Sequence, residues 1–61
     1  LKATVKKVMA GAVNTEVILE VVPGVEIVAI ITKSSAESLG LSEGKEAYAV
    51  IKSSDVMVAV D

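Results

Sequence analysis

Three groups of side chains in this 61-residue sequence are of a type and spacing that could do chemistry. The first is Thr32, Ser34 and Ser35, hydroxyls gathered where an apolar run ends and a helical one begins. Such a hydroxyl ordinarily caps the helix. A helix start also offers free backbone N–H groups and the favourable end of the dipole to an anion. The second is Lys52-Ser53-Ser54, which follows another apolar run. A lysine there often marks only the point where the chain reaches water, but it could bring a positive charge, and Ser53 a hydroxyl, to a bound anion. One cation and several neutral donors would satisfy an oxyanion through charge-assisted hydrogen bonds. The third group, Glu16, Glu20 and Glu26, could in principle do acid–base work or hold a hard cation. No organised cation-binding loop surrounds it, and its simpler reading is a solvated sheet face.

The composition removes many other chemistries. The chain has no Cys and no His, so disulfides, thiolate or imidazole metal sites and Cys- or His-based catalysis are excluded. Six basic residues, all lysine, face eight acids for a net charge of −2. That is not the electrostatic footprint of a nucleic-acid binder, and with Tyr48 the only aromatic there is no stacking platform for single strands. No apolar run reaches the roughly 20 residues that span a bilayer, and the charged, alternating N-terminal stretch does not read as a signal peptide. A cytoplasmic location without membrane or nucleic-acid partners is expected, and no enzyme activity.

The elements that must position these groups are mostly strands. Val and Ile dominate a sequence that is 52% hydrophobic, and branched residues favour pleated sheets. Lys2 to Ala10 reads as a first strand, with a bulge where Lys6-Lys7 breaks the alternation. Val13 to Val22 is a second, placing Val13, Thr15, Val17, Leu19 and Val21 on one face. Pro23-Gly24 is a hairpin turn signal, and Val25 to Thr32 is the third strand, apolar on both faces at its centre. The stretch Thr32 to Gly40 is the one helical candidate. Thr32 or Ser34 can cap it, Ser34 and Glu37 have capping-box spacing, and Gly40 can stop it. Lys45 to Lys52 and Asp55 to Val60 read as the fourth and fifth strands. A short helix between strands three and four of five is the order of an all-β, OB-fold-like barrel; an SH3-like barrel is the alternative. A single domain over residues 1–61 is expected. So small a core is marginal by itself, and without disulfides or metal its support is expected from oligomerisation.

Nearly the whole chain closely resembles the molbindins, the Mop-type molybdate-binding proteins, whose module belongs with the TOBE domains. The resemblance is carried by I-T-x-x-S-A-x-x-L-G-L at Ile31 to Leu41, E-G-K-E at Glu43 to Glu46 and A-V-I-K-S-S-D-V at Ala49 to Val56. It implies an OB-like barrel assembled as a hexamer, a trimer of dimers, with molybdate or tungstate bound at subunit interfaces and no organic cofactor. The matching anion-binding residues are Thr32, Ser35, Lys52 and Ser53. A second class of family site, near a threefold axis, points to Val13, Asn14 and Thr15. Family members open with Ser-Ala-Arg-Asn ahead of the position of Leu1, and that Ser and Arg contact the anion. This segment is absent from the 61 residues, so their pocket is expected to be incomplete. The function implied is oxyanion storage or homeostasis. The same module could instead sense molybdate within a larger regulator or transporter ATPase, and a plain oligonucleotide-binding OB module is opposed by the composition.

Overall fold

The computed structural model describes all 61 residues. Three long strands form, β1 (Lys2–Ala10), β2 (Asn14–Val22) and β3 (Val25–Thr32), followed by one helix, α1 (Lys33–Leu39), and a short strand β4 (Glu46–Tyr48). All neighbours are antiparallel, in the order β3-β2-β1-β4. The expected bulge is present: the β1–β2 register shifts between Val5 and Lys7. It absorbs the broken alternation, so that Ala3 and Val5 point inward on one side of it and Val8 on the other. The β2–β3 turn is made by Pro23 and Gly24, and Gly24 sits at φ 85°, where a residue with Cβ would be strained.

Alternation on β2 puts Thr15, Val17 and Leu19 inside, each 6% exposed or less. They meet Ala3, Val5 and Ala49, with Val8, Val21, Ile27, Ile31, Leu41 and Ala47 packed around them, while Ala36 is the buried residue of α1. Seven buried residues in all are a small core, as expected for so short a chain. On the outer face of β3, Val28 and Ile30 remain 54% and 70% exposed. The strand is therefore apolar on both faces, and one chain covers only one of them.

The C-terminal third departs from the sequence-based reading. Only Glu46–Tyr48 of the expected fourth strand has strand geometry, although Leu1 and Ala49 extend its ladder by two backbone hydrogen bonds of 2.8 Å. Ser53–Asp55 forms a single 3-10 turn, and the expected fifth strand, Asp55 to Val60, does not pair with the sheet. Its sequence suits a strand, but strand hydrogen bonds need a neighbouring edge, and this segment meets none within its own chain. The fold of one chain is a four-stranded antiparallel sheet with one short helix.

Candidate functional site

Thr32 ends β3 and caps α1, with extended backbone (φ −69°, ψ 152°). Its Oγ1 accepts the backbone N–H of Ser35 at 3.1 Å and donates to Ser35 Oγ at 2.7 Å. Ser34 Oγ stands 3.3 Å from the same oxygen. Thr32 is thus the cap, rather than Ser34. Ser34 already lies inside the first helical turn, where its backbone is no longer extended, so the Ser34–Glu37 capping box does not form. With the Thr32 proton directed to Ser35, the Ser35 hydroxyl keeps its own proton for an outside acceptor. The whole group is exposed.

Gly40, at φ 62°, closes α1, and its N–H reaches Glu37 O at 3.0 Å. Lys45 Nζ donates to the carbonyls of Leu39 and Gly40 at 2.9 and 3.2 Å. That supplies a cation to the negative end of a helix that has no basic residue in its own last turn.

The residues proposed for a second site lie beside the first. Asn14 is the ladder partner of Thr32, and the Lys33 N–H donates to Val13 O at 2.8 Å. The β2 start and the helix start are therefore one surface. Val13 is exposed, while Thr15 points inward, 1% exposed, and its Oγ1 has no hydrogen-bond partner in the chain.

Lys52 and Ser53 are exposed. Lys52 precedes the 3-10 turn in extended conformation, and the turn is held by backbone bonds from Asp55 N to Lys52 O (2.9 Å) and Val56 N to Ser53 O (3.3 Å). No hydrogen bond joins Lys52 or Ser53 to the Thr32–Ser35 group. The structure thus brings together Thr32, Ser34, Ser35, Val13 and Asn14, and ties Lys52-Ser53 to them by no hydrogen bond.

The ion pairs show which charges are free. Lys2 pairs with Glu46 at 3.0 Å, and Lys6 with Glu20 and Glu26 at 3.1 and 3.0 Å. The carboxylates of Glu26 and Glu20 raise the Lys6 pKa above its ordinary value. Two of the three glutamates singled out in the sequence are therefore engaged on the sheet surface. Lys7, Lys33 and Lys52 have no carboxylate within 4.0 Å. Lys33 was not singled out by sequence reasoning. The signal was its place in the sequence between the capping Thr32 and Ser34; its side chain lines a surface hollow with Thr15, Ala36 and Glu37.

The sequence matches the TOBE domain over residues 1–58. The chain belongs to the TOBE domain family. Molybdenum-pterin-binding protein 3 of Clostridium pasteurianum is 48% identical over 58 residues, 95% of this chain and 85% of that protein. MopA of Rhodobacter capsulatus, also a molybdenum-pterin-binding protein, is 48% identical over 59 residues, 97% of this chain but 22% of its own length. Among solved structures, MopII from C. pasteurianum in an apo form superposes with a TM-score of 0.93 at 45% identity, covering 98% of this TOBE domain and 90% of that chain. A molybdate-binding protein from Sporomusa ovata gives 0.91 at 33% identity, covering 98% and 88%. The curled sheet with its single helix is therefore the fold of these proteins.

Proposed function

We propose that this TOBE domain binds molybdate or tungstate at interfaces between copies of itself and serves in oxyanion storage or homeostasis. The observation that carries the reading is the hydroxyl arrangement at the α1 start. Thr32 Oγ1 holds Ser35 Oγ at 2.7 Å, leaving an outward donor beside the end of a capped helix. Hydroxyls and backbone N–H groups suit the oxygens of a tetrahedral dianion, and Lys52, free of any carboxylate, supplies the charge-assisted bond. Thr32 acts by orienting Ser35, and Ser53 adds a further hydroxyl donor. Val13 and Asn14, alongside Thr32, form the second site, with the inward-pointing Thr15 beneath them. The Sporomusa ovata neighbour, a molybdate-binding protein, supports the choice of anion, and the molybdenum-pterin-binding relatives support a molybdenum ligand. The anion is the ligand, with no organic cofactor.

Two features of the single chain support assembly. The Thr32 and Lys52 groups are not joined within it, and the outer face of β3 is apolar and uncovered. The assembly is a hexamer, a trimer of dimers, of OB-type five-stranded barrels, and placing ligands at its interfaces lets anion binding stabilise it by mass action. The protein is not an enzyme, acts in the cytoplasm, and needs neither nucleic acid nor membrane; no helix is long and apolar enough to cross a bilayer.

Calorimetric titration with molybdate, tungstate, sulfate and phosphate tests the reading. Strong heats from the first two and weak ones from the others are expected, since cavity size separates anions of like shape and charge. Equal response to all four would mean nonspecific screening and remove the assignment.

A further inference from the structure

Lys45 directs its charge at the protein's own backbone. Its Nζ donates to Leu39 O at 2.9 Å and Gly40 O at 3.2 Å, and it joins no carboxylate within 4.0 Å, although the chain holds eight acids. At the same helix end, the carbonyls of Ala36 and Glu37 are already met by the N–H groups of Leu41 (3.3 Å) and Gly40 (3.0 Å). The ammonium therefore takes the next two carbonyls in line, at the negative end of the α1 dipole.

The backbone of the same residue is tied to the centre of the sheet. Lys45 O accepts the Val5 N–H at 2.8 Å, and the Gly44 N–H donates to Val5 O at 2.8 Å. Val5 is 0% exposed and borders the β1 bulge. Lys45 thus joins a fixed core strand, through its main chain, to the end of α1, through its side chain. The helix has little else to hold it there. It is seven residues long, or about 10 Å, and buries Ala36 alone, with Leu39 59% exposed. Its start is held by the chain leaving β3 and by the Lys33 N–H to Val13 O bond of 2.8 Å. A short rod held at Thr32 and released at Gly40 could tilt, and its tilt sets where the Ser35 hydroxyl and the first-turn N–H groups point.

We propose that Lys45 is a positioning residue of the anion site: anchored through its backbone to Val5 and bound to the last carbonyls of α1, it fixes the tilt of the helix and with it the direction of the Ser35 hydroxyl. Its ammonium is occupied by carbonyls and does not contact the ligand. Lys52 and Lys45 then have different tasks, the first bringing charge to the anion and the second holding the anion's neutral donors in place. The inference rests on the Thr32–Ser35 group being the anion site.

Lys45→Met tests it, because it keeps the aliphatic stem and removes the ammonium, while both main-chain bonds to Val5 are independent of the side chain. The parent, Lys45→Met, Lys45→Arg and Val17→Ala are titrated with molybdate by calorimetry, each well below its melting temperature. Lys45→Met should bind roughly threefold to thirtyfold more weakly, the range for residues that act through others. Lys45→Arg, which returns a charge and donors to the helix end, should recover most of the loss. Val17→Ala, which loosens the core instead, should bind as the parent does. Unchanged affinity in Lys45→Met overturns the inference, and so does an equal loss in Val17→Ala or no recovery in Lys45→Arg. Amide hydrogen exchange without anion gives a readout independent of the ligand. The Ser35 N–H, which donates to Thr32 Oγ1, should exchange faster in Lys45→Met by a similar factor while β2 amides keep their rates. An unchanged Ser35 rate also overturns the inference. If the parent itself gives no heat with molybdate, the proposed function fails, and the exchange rates alone decide the role of Lys45.

Discussion

Replacing Thr32 by Val removes one oxygen that does two things. It accepts the Ser35 N–H at 3.1 Å, and it donates to Ser35 Oγ at 2.7 Å. Losing a capping hydroxyl costs about 1 kcal/mol, which lowers the melting temperature of a domain this small by roughly 4–8 °C. The second loss concerns the ligand. Without its partner, the Ser35 hydroxyl is no longer held in one orientation, with its own proton turned toward the ligand. A hydrogen bond to a charged group is worth about 1.5–3 kcal/mol, so affinity for molybdate should fall by roughly tenfold to a hundredfold at 1.4 kcal/mol per decade. Thr32→Ser keeps the oxygen in place and should restore most of both effects. The assay is a thermal melt of the three proteins in anion-free buffer at one protein concentration, followed by calorimetric titration with molybdate. If Thr32→Val melts with the parent, Oγ1 is not the cap that the geometry describes. If it melts lower but binds as tightly, the hydroxyl group does not face the ligand.

Three further perturbations address other parts of the molecule. Lys52→Ala removes an exposed, unpaired charge and no core contact, so the melt without anion should be unchanged within about 0.5 kcal/mol. Titration should show molybdate affinity reduced by roughly tenfold or more, and an unchanged affinity would take Lys52 out of the pocket. Val17 is 1% exposed at the centre of the core, and Val17→Ala should cost about 2–3 kcal/mol, the lost transfer energy plus the cavity left behind, measured by urea unfolding. The Lys6 pKa is raised above the ordinary lysine value of 10.5 by Glu26 and Glu20. Its ion pairs therefore stabilise the fold in full below that pH and cease to do so as the pH rises through the raised value. Urea midpoints at about pH 8 and about pH 11.5 should differ less in Lys6→Met than in the parent, and an equal drop in both would mean the pairs contribute nothing.

The legible parts of the sequence were those that local rules decide. The alternation of Thr15, Val17 and Leu19 with polar or outward residues is a property of the strand alone, and it set β2 and its buried face. The phase change at Lys6-Lys7 could be resolved only by an extra residue, and the bulge lies there. Gly24, after Pro23, and Gly40 occupy left-handed backbone conformations that favour glycine. The hydroxyl cluster was legible for the same reason, since capping acts within one turn of helix, although the choice of Thr32 over Ser34 depended on where β3 ended. What the sequence alone left open depends on neighbours far along the chain. Asp55 to Val60 has the composition of a strand, yet a strand exists only where a second edge supplies its hydrogen bonds, and none is within reach in its own chain. The single 3-10 turn at Ser53–Asp55, and the ladder contact that sets Asn14 beside Thr32, follow from how the chain folds and pairs. Strand pairing is non-local, and so those placements were decided by the tertiary structure.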